Sequence, residues 1–331
     1  MNAAVRACVA AVLLALAACA PHAGGASGEP VRVCSPAHAA LRGQAGEMVW
    51  IPRGETTIGS VDNGGYPEEW PPRDVVVDGF WIDRSEVTNA QFAAFVAATY
   101  YVTVAERRLS AEDNPGLPPE LLEPGAAVFS PPQEIDSLEN VAQWWRFTPG
   151  ANWRHPLGPE SSIEGREDYP VVQVAFEDAQ AYARWAGREL PTEEQWERAA
   201  RGAQRTSLYI WGDDPHPNGQ QRANSWQGLF PVQNTQEDGF RGVAPVGCFE
   251  PNDFGLYDMA GNVWEWTRSP YSTAPDRSGG DDAFMTIKGG SFLCAPNYCG
   301  RFRPAARQAG DTLLGTNHTG FRTVSNTPGP S

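Results

Sequence analysis

Apolar positions along this chain come mostly in short runs, and sustained helical periods are few. Met48-Val49-Trp50-Ile51-Pro52, with Gly54 and Thr57-Ile58-Gly59 behind it, predicts a short hairpin. Residues 74–82 (DVVVDGFWI) predict two paired strands around an Asp78-Gly79 turn. Helix signals follow. Thr88 is a good N-cap with Gln91 three residues on, a capping box, and Phe92, Phe95 and Val96 mark one apolar face. Residues 178–186 predict a short amphipathic helix ended by Gly187. Thr192 and Gln195 form a second capping box, with Gly202 as the residue that ends that helix. Its Glu193, Glu194 and Glu197 read as cap and surface groups suited to the helix dipole, not as catalytic acids. Residues 169–176 (YPVVQVAF) predict a strand, whereas 105–150 lack a period and predict a long loop or insertion. Residues 211–266 are turn-rich. In 287–307 (IKGGSFLCAPNYCGRFRPAAR), Ile287-Lys288 and Ser291-Phe292-Leu293 are strand-like, Ala295-Pro296-Asn297 is turn-like, and 298–302 suit a returning strand. A hairpin carrying Cys294 and Cys299 is therefore expected, with Gly289-Gly290 admitting another segment close to the backbone.

The N-terminus changes the picture. Arg6 precedes an apolar run over 7–18 that is too short to cross a bilayer as a helix. The run ends in Leu16-Ala17-Ala18-Cys19, which resembles a bacterial lipobox. That resemblance implies a signal peptide over 1–18, lipidation of Cys19 and an extracytoplasmic, membrane-anchored lipoprotein, with Ala20 favouring the outer membrane. An ordinary secretory signal cut at a small residue is the alternative. Residues 19–43 then form a lipidated, flexible tether, and 44–326 the folded domain. The chain has 25 Lys and Arg against 40 Asp and Glu and no basic patch, which argues against a nucleic-acid partner. Its 12 Trp, 34 Gly and 29 Pro argue for an irregular, loop-rich fold with aromatic anchors.

Four cysteines besides Cys19 follow the signal: Cys34, Cys248, Cys294 and Cys299. In an oxidising compartment the simplest pairing is Cys34–Cys248 with Cys294–Cys299. Two thiols across a short turn can instead bind a soft metal or run thiol chemistry, and spacing leaves all three open. Between 211 and 266, Asn224, Asn234, Asp238, Asp253, Asp258 and Glu265 place oxygens in Gly-bearing loops. Ca²⁺ takes such ligands, but Asn and Asp in turns also serve the turns themselves.

Several stretches resemble the formylglycine-generating enzyme family, also called sulfatase-modifying factors. They include GANWRHP (150–156), WAGRELPTEEQWERAARG (185–202), GNVWEWT (261–267), KGGSFLCAPNYCGRFRPAAR (288–307) and TGFR (319–322). The resemblance covers nearly the whole mature domain. It implies an α+β fold, irregular and related to C-type lectins, with little regular secondary structure. It also implies oxidation by O₂ of a Cys in a Cys-x-Pro-x-Arg motif of unfolded sulfatases to Cα-formylglycine. Copper is the implied cofactor, held as Cu(I) by Cys294 and Cys299, and paired thiolates suit that soft ion. Ser291 would assist beside the metal, and Trp153, His155, Trp264 and His318 would meet the substrate. Arg301, Arg303 and Arg322 transfer as framework. One Ca²⁺ would take Asn224, Ser225 and Phe240 (backbone) and Asp238. A second would take Asp258, Glu265 and the backbone of Gly261 and Val263. Such a pair in an oxidising compartment is expected to rest as a disulfide until reduced. Pro304 stands where secretory relatives have a cysteine, and His318 where an Asn is common. The alternative function is a non-catalytic, lectin-like scaffold lipoprotein with a structural Cys294–Cys299 disulfide.

Overall fold

The computed structural model describes Cys34 and residues 46–329, apart from 62–64, 113–114, 117 and 275–279, with backbone only at 281–282. The signal peptide, Cys19 and the tether other than Cys34 lie outside the described residues.

Helices form where the capping signals fall. In α1 (Asn89–Thr99), Thr88 Oγ1 accepts from Gln91 N and Thr88 N donates to Gln91 Oε1. The helix stops at Tyr100, whose φ of 55° is left-handed. Phe92 and Phe95 pack on Tyr182 of α2 (Phe176–Trp185) and bury the α1–α2 contact. In α3 (Glu193–Arg201) the Thr192–Gln195 box closes at 3.1 and 3.0 Å, and Gly202 (φ 62°) ends the helix. Glu193 and Glu197 are not surface groups, contrary to the expectation from the dipole pattern. Both are buried: Glu193 forks onto Arg307, while Glu197 meets Arg201 and Lys288. Glu194 is half-buried on Arg73.

The strands are small and their pairing is mostly long-range. β1 (Met48–Ile51) and β2 (Gly54–Ile58) do not form the expected hairpin, nor do β3 (Arg73–Val77) and β4 (Phe80–Asp83) pair with each other. Instead β2 pairs with β3, while β1 pairs antiparallel with β4, whose other edge takes β11 (Val324–Ser325). Turn residues mark where the chain bends but do not say which strand it meets. The stretch 105–150 contains a two-stranded sheet, β5 (Gly125–Phe129) with β6 (Trp145–Pro149). Residues 169–176 form no strand. Val171 N donates to Val87 O and Gln173 N to Thr316 O, and Gln173 takes a left-handed φ of 60° that breaks the extended run.

The site hangs from a four-stranded sheet ordered β10–β7–β8–β9, comprising β7 (Trp264–Tyr271), β8 (Asp281–Lys288), β9 (Arg307–Asp311) and β10 (Thr319–Gly320). Trp196, Trp264, Trp266, Phe92 and Phe321 are all but fully buried between this sheet and the helices. Cys34 and Cys248 are disulfide-bonded, as the simplest pairing requires. Among the described residues no helix is long and apolar enough to cross a membrane. The expected α+β architecture with little regular structure is what forms.

Candidate active site

The thiols lie on the connection from β8 to β9. After Lys288 the backbone turns sharply through Gly289 (φ 95°) and Gly290 (φ 76°). A Cβ at Gly290 would stand 2.9 Å from Arg301 O and Phe302 N, so only glycine admits this crossing. The expected hairpin does not form. Ser291 O accepts Cys294 N, Ala295 O accepts both Tyr298 N and Cys299 N, and Phe292 N donates to Asn262 O. The amides are thus spent on consecutive tight turns and on the 262 loop, leaving no ladder to build.

These turns bring Cys294 Sγ and Cys299 Sγ to 3.0 Å. At that separation no S–S bond joins them, since one needs about 2.0 Å; the structure shows the pair as free thiols, and both are buried. Their protons are unequal. Burial, then the bond to Cys299, pushes Cys294 well up. Cys299 is lowered to about 7, first by the hydrogen bond from Cys294 and then, against its burial, by Arg301. Cys294 is therefore the thiol donor and Cys299 the sulfur that carries charge. Ser291 N donates to Cys294 Sγ (3.4 Å), and Ser291 Oγ accepts Leu293 N. The turn thus holds the Ser291 backbone against Cys294.

A segment that sequence reasoning overlooked closes the site. Arg301 Nη1 lies 4.0 Å from Cys299 Sγ, while its Nη2 donates to Glu68 Oε1 (2.7 Å) and its guanidinium sits 3.7 Å from the Tyr66 ring centre. Tyr66 Oη accepts the Gly300 amide, and Arg303 forks onto the fully buried Glu69. Arg303 and Arg322 are framework, as expected; Arg301 also touches a thiol. The Pro-bounded pair Glu68-Glu69 facing an arginine-rich 301–307 was the available signal.

The other expected residues divide. Trp264 is buried and donates its amide to His318 O. His318 packs 4.8 Å from Trp145, bonds Thr316 Oγ1 through Nδ1, and is driven down to about 3 by burial, hence neutral. Trp153 and His155 line a cavity of about 440 Å³ with Asn89, Ala93 and Ile163, in whose walls neither cysteine appears. Trp153 is nine-tenths buried or more, its face under Arg154 and its edge on Phe92. A separate cavity of about 240 Å³ adjoins the thiol turn through Pro296 and Asn297, opposite Trp211, Arg222 and Trp226. Trp226 N donates to Cys294 O (3.0 Å), tying that wall to the site.

The donor set fits the metals unequally. Two buried soft sulfurs suit Cu(I), which favours thiolates. No group of three or more His, Cys, Asp or Glu able to hold a metal occurs among the described residues. Any calcium site must therefore rely on carbonyl oxygens, as the resemblance implies. In the first set, Asn224 Oδ1 is buried without a hydrogen-bond partner, while Asp238 accepts from Ser225 N and Phe240 N. An orphaned acceptor beside a buried carboxylate fits a hard cation. In the second, Asp258 (raised to about 6, first by burial) and Glu265 lie with Glu86 around the single guanidinium of Arg322. Glu86 Oε2 is buried and receives no N–H. Burial raises both Asp258 and Glu86, which are hydrogen-bonded to each other and can share a proton; a cation bound there would add carbonyl oxygens to them.

A thiol pair set on tight turns in a small-sheet α+β domain defines a dithiol-centred class of protein. Residues 35–327 match the Sulfatase-modifying factor enzyme 1-like domain family, and the chain belongs to that family. It is 50% identical to a formylglycine-generating enzyme of Mycobacterium tuberculosis (strain ATCC 25618 / H37Rv), over 84% of this chain and 97% of that one. It is 38% identical to a protein named inactive C-alpha-formylglycine-generating enzyme 2 of Bos taurus, over 86% and 89%. Among solved structures, PvdO from Pseudomonas aeruginosa shares the fold, with a TM-score of 0.58 at 21% identity, over 84% of this chain and 93% of that one. Relatives named both active and inactive resemble it, so overall likeness does not decide activity; the site does.

Proposed function

We propose that this protein oxidises a cysteine within a Cys-x-Pro-x-Arg segment of unfolded sulfatases to Cα-formylglycine, using O₂ and copper held by Cys294 and Cys299, in an extracytoplasmic compartment where a lipid on Cys19 anchors it to the membrane. The observation that carries this reading is the open thiol pair, 3.0 Å apart and buried, in a chain of this family. A scaffold with a structural disulfide has no use for two free buried sulfurs differing in proton affinity.

When bound, copper would supply the one-electron steps and the path to O₂ that thiols lack. The chain's own groups prepare for it. Cys299 is ready to lose its proton near neutral pH, and Cys294 stabilises that charge by donating to it. The Ser291 amide in turn donates to Cys294, and Arg301 balances the charge on Cys299. Turning a CH₂–SH side chain into an aldehyde releases sulfide and removes two electrons. Full reduction of O₂ takes four, so an external thiol supplies the other two. His318, held neutral beside Trp145, is a polar but uncharged contact for an extended peptide. Calcium at the two loop sets would hold the walls: Ser225 is followed by Trp226, which grips Cys294, and Gly261 N donates to Gly289 O.

The test is direct. Reduced protein is loaded with Cu(I) and given O₂, a thiol reductant and a Cys-x-Pro-x-Arg peptide. The peptide should lose about 18 mass units, and Ser at either 294 or 299 should abolish the loss because one soft ligand is gone. No conversion, with a dithiol indifferent to copper, would sink the oxidase reading.

A further inference from the structure

Arg301 is held more firmly than a framework residue needs. Its guanidinium is clamped between the Glu68 carboxylate at 2.7 Å and the face of Tyr66 at 3.7 Å, with the side chains of Arg301 and Glu68 only 20% and 16% exposed. Tyr66 also pins the turn itself, since its hydroxyl accepts the Gly300 amide at 3.1 Å. Arg303 reaches the same ring from farther off, at 5.8 Å, and forks onto Glu69, so the 66–69 segment is itself anchored. The free Nη1 of Arg301 faces one sulfur, that of Cys299, at 4.0 Å. A fixed, half-desolvated cation at that distance acts on charge far more strongly than one in water.

We propose that Arg301, locked by Tyr66 and Glu68, is a positioning residue that keeps the Cys294–Cys299 pair reduced. In the reduced pair the Cys299 sulfur is an electron-rich acceptor facing the fixed guanidinium at 4.0 Å, and negative charge placed on it meets that cation at once. The disulfide carries none. A cation fixed beside Cys299 therefore favours the dithiol over the disulfide, and the compartment expected for this chain is one that drives thiols to oxidise. The redox step is a balanced exchange. Oxidised glutathione takes two electrons from the pair, the Cys294–Cys299 bond forms, the glutathione disulfide breaks, the Cys294 proton passes to one glutathione sulfur, and the second glutathione thiol takes the Cys299 proton or, where Cys299 is already ionised, one from solvent. The inference concerns the same pair as the proposed oxidase but is tested without copper, O₂ or peptide, so its failure leaves that reading standing.

The experiment equilibrates the purified full chain with glutathione redox mixtures at one pH. The dithiol fraction is read by alkylation and mass of the peptide carrying both cysteines. Arg301→Gln should raise the equilibrium constant for oxidation about tenfold, which is about 30 mV more reducing for a two-electron couple. Arg301→Lys, which keeps the charge, should stay near the parent. Tyr66→Leu removes the platform and should shift the constant in the same direction as Arg301→Gln. An unchanged constant in Arg301→Gln and Tyr66→Leu, whatever happens to their melting temperatures, overturns the proposal. So does an equal shift in Arg301→Gln and Arg301→Lys, because shape rather than charge would then be responsible.

Discussion

Two buried charge clusters meet at β7 and β8, where Glu265 of one stands opposite Lys288 of the other, and they are built to opposite plans. Around α3, Glu193 and Glu197 meet Arg201, Lys288 and Arg307, with every head group within 4 Å of an opposite charge. Around the 258–265 loop, Glu86, Asp258 and Glu265 share Arg322, and the first two carboxyls are pushed up by burial. Desolvating a charge costs several kcal/mol unless partners repay it. The first cluster is closed and structural: it fixes α3 under the sheet that carries the thiols. The second is short of positive charge, which a proton held between Asp258 and Glu86 or a bound cation would balance. Similar acidic sequence thus serves two purposes, separated by counting opposite charges rather than by counting carboxylates.

Breaking the closed cluster should have the larger effect. Glu197 accepts from Gly59 N, Arg201 and Lys288, all buried. Glu197→Ala strands Lys288 and Arg201 and should cost about 3–5 kcal/mol in urea unfolding. The cost should be the same with calcium or with a chelator. A loss restored by calcium would show that the clusters are one system.

The open cluster should answer to pH and to calcium together. Asp258 in the folded chain sits at about 6, above its ordinary value of about 4, so the folded state holds the proton more tightly. Its contribution is full below the unfolded value and is lost as pH rises through about 6. Asp178, raised to about 6 first by burial, adds a fall of the same sign far from the loop. In chelator, stability should therefore decline between about pH 4 and 6. Saturating calcium should remove the Asp258 share and leave that of Asp178. At a hundredfold excess over its dissociation constant, calcium would add about 2.7 kcal/mol. Melting curves that do not respond to calcium at pH 7 would remove the cation from this reading.

What the sequence disclosed follows the range of the interaction concerned. The capping boxes at Thr88 and Thr192 need only four residues, and both form as expected. The nearness of Cys294 and Cys299 is likewise local, although the backbone meets it by glycine-led turns instead of strands. Partners far along the chain were not legible. Nothing near β1 announces β4, and nothing near Glu193 announces Arg307. For that reason the helix-dipole pattern predicts surface acids where two of the three are core. Tyr66 and Glu68 carry only a faint signal for the same reason: the Pro-bounded Glu68-Glu69 pair is visible, but its meaning depends on Arg301, more than two hundred residues away. Trp153 and His155 are expected by resemblance to line the substrate groove, and the cavity they line has neither cysteine in its walls.

The smallest expected effect tests whether α3 is held by its cap or by its charges. Thr192 Oγ1 accepts Gln195 N at 3.1 Å, and Gln195 Oε1 accepts Thr192 N at 3.0 Å. Glu193 begins the helix and is independently fixed by Arg307 at 2.8 and 3.1 Å and by Ser269 Oγ, which accepts its amide. If the closed cluster fixes the first turn, losing the cap hydroxyl leaves the Gln195 amide without its acceptor but does not let the turn unwind. Thr192→Ala should then cost about 1 kcal/mol, the ordinary worth of a cap, with the calcium response and glutathione equilibrium unchanged. A cost several times larger would mean that the cap positions Glu193 for Arg307, so that the closed cluster depends on a local signal after all. Combining Thr192→Ala with Arg307→Met separates the two cases: independent contributions add, whereas a cap acting through Glu193 loses its effect once Arg307 is gone.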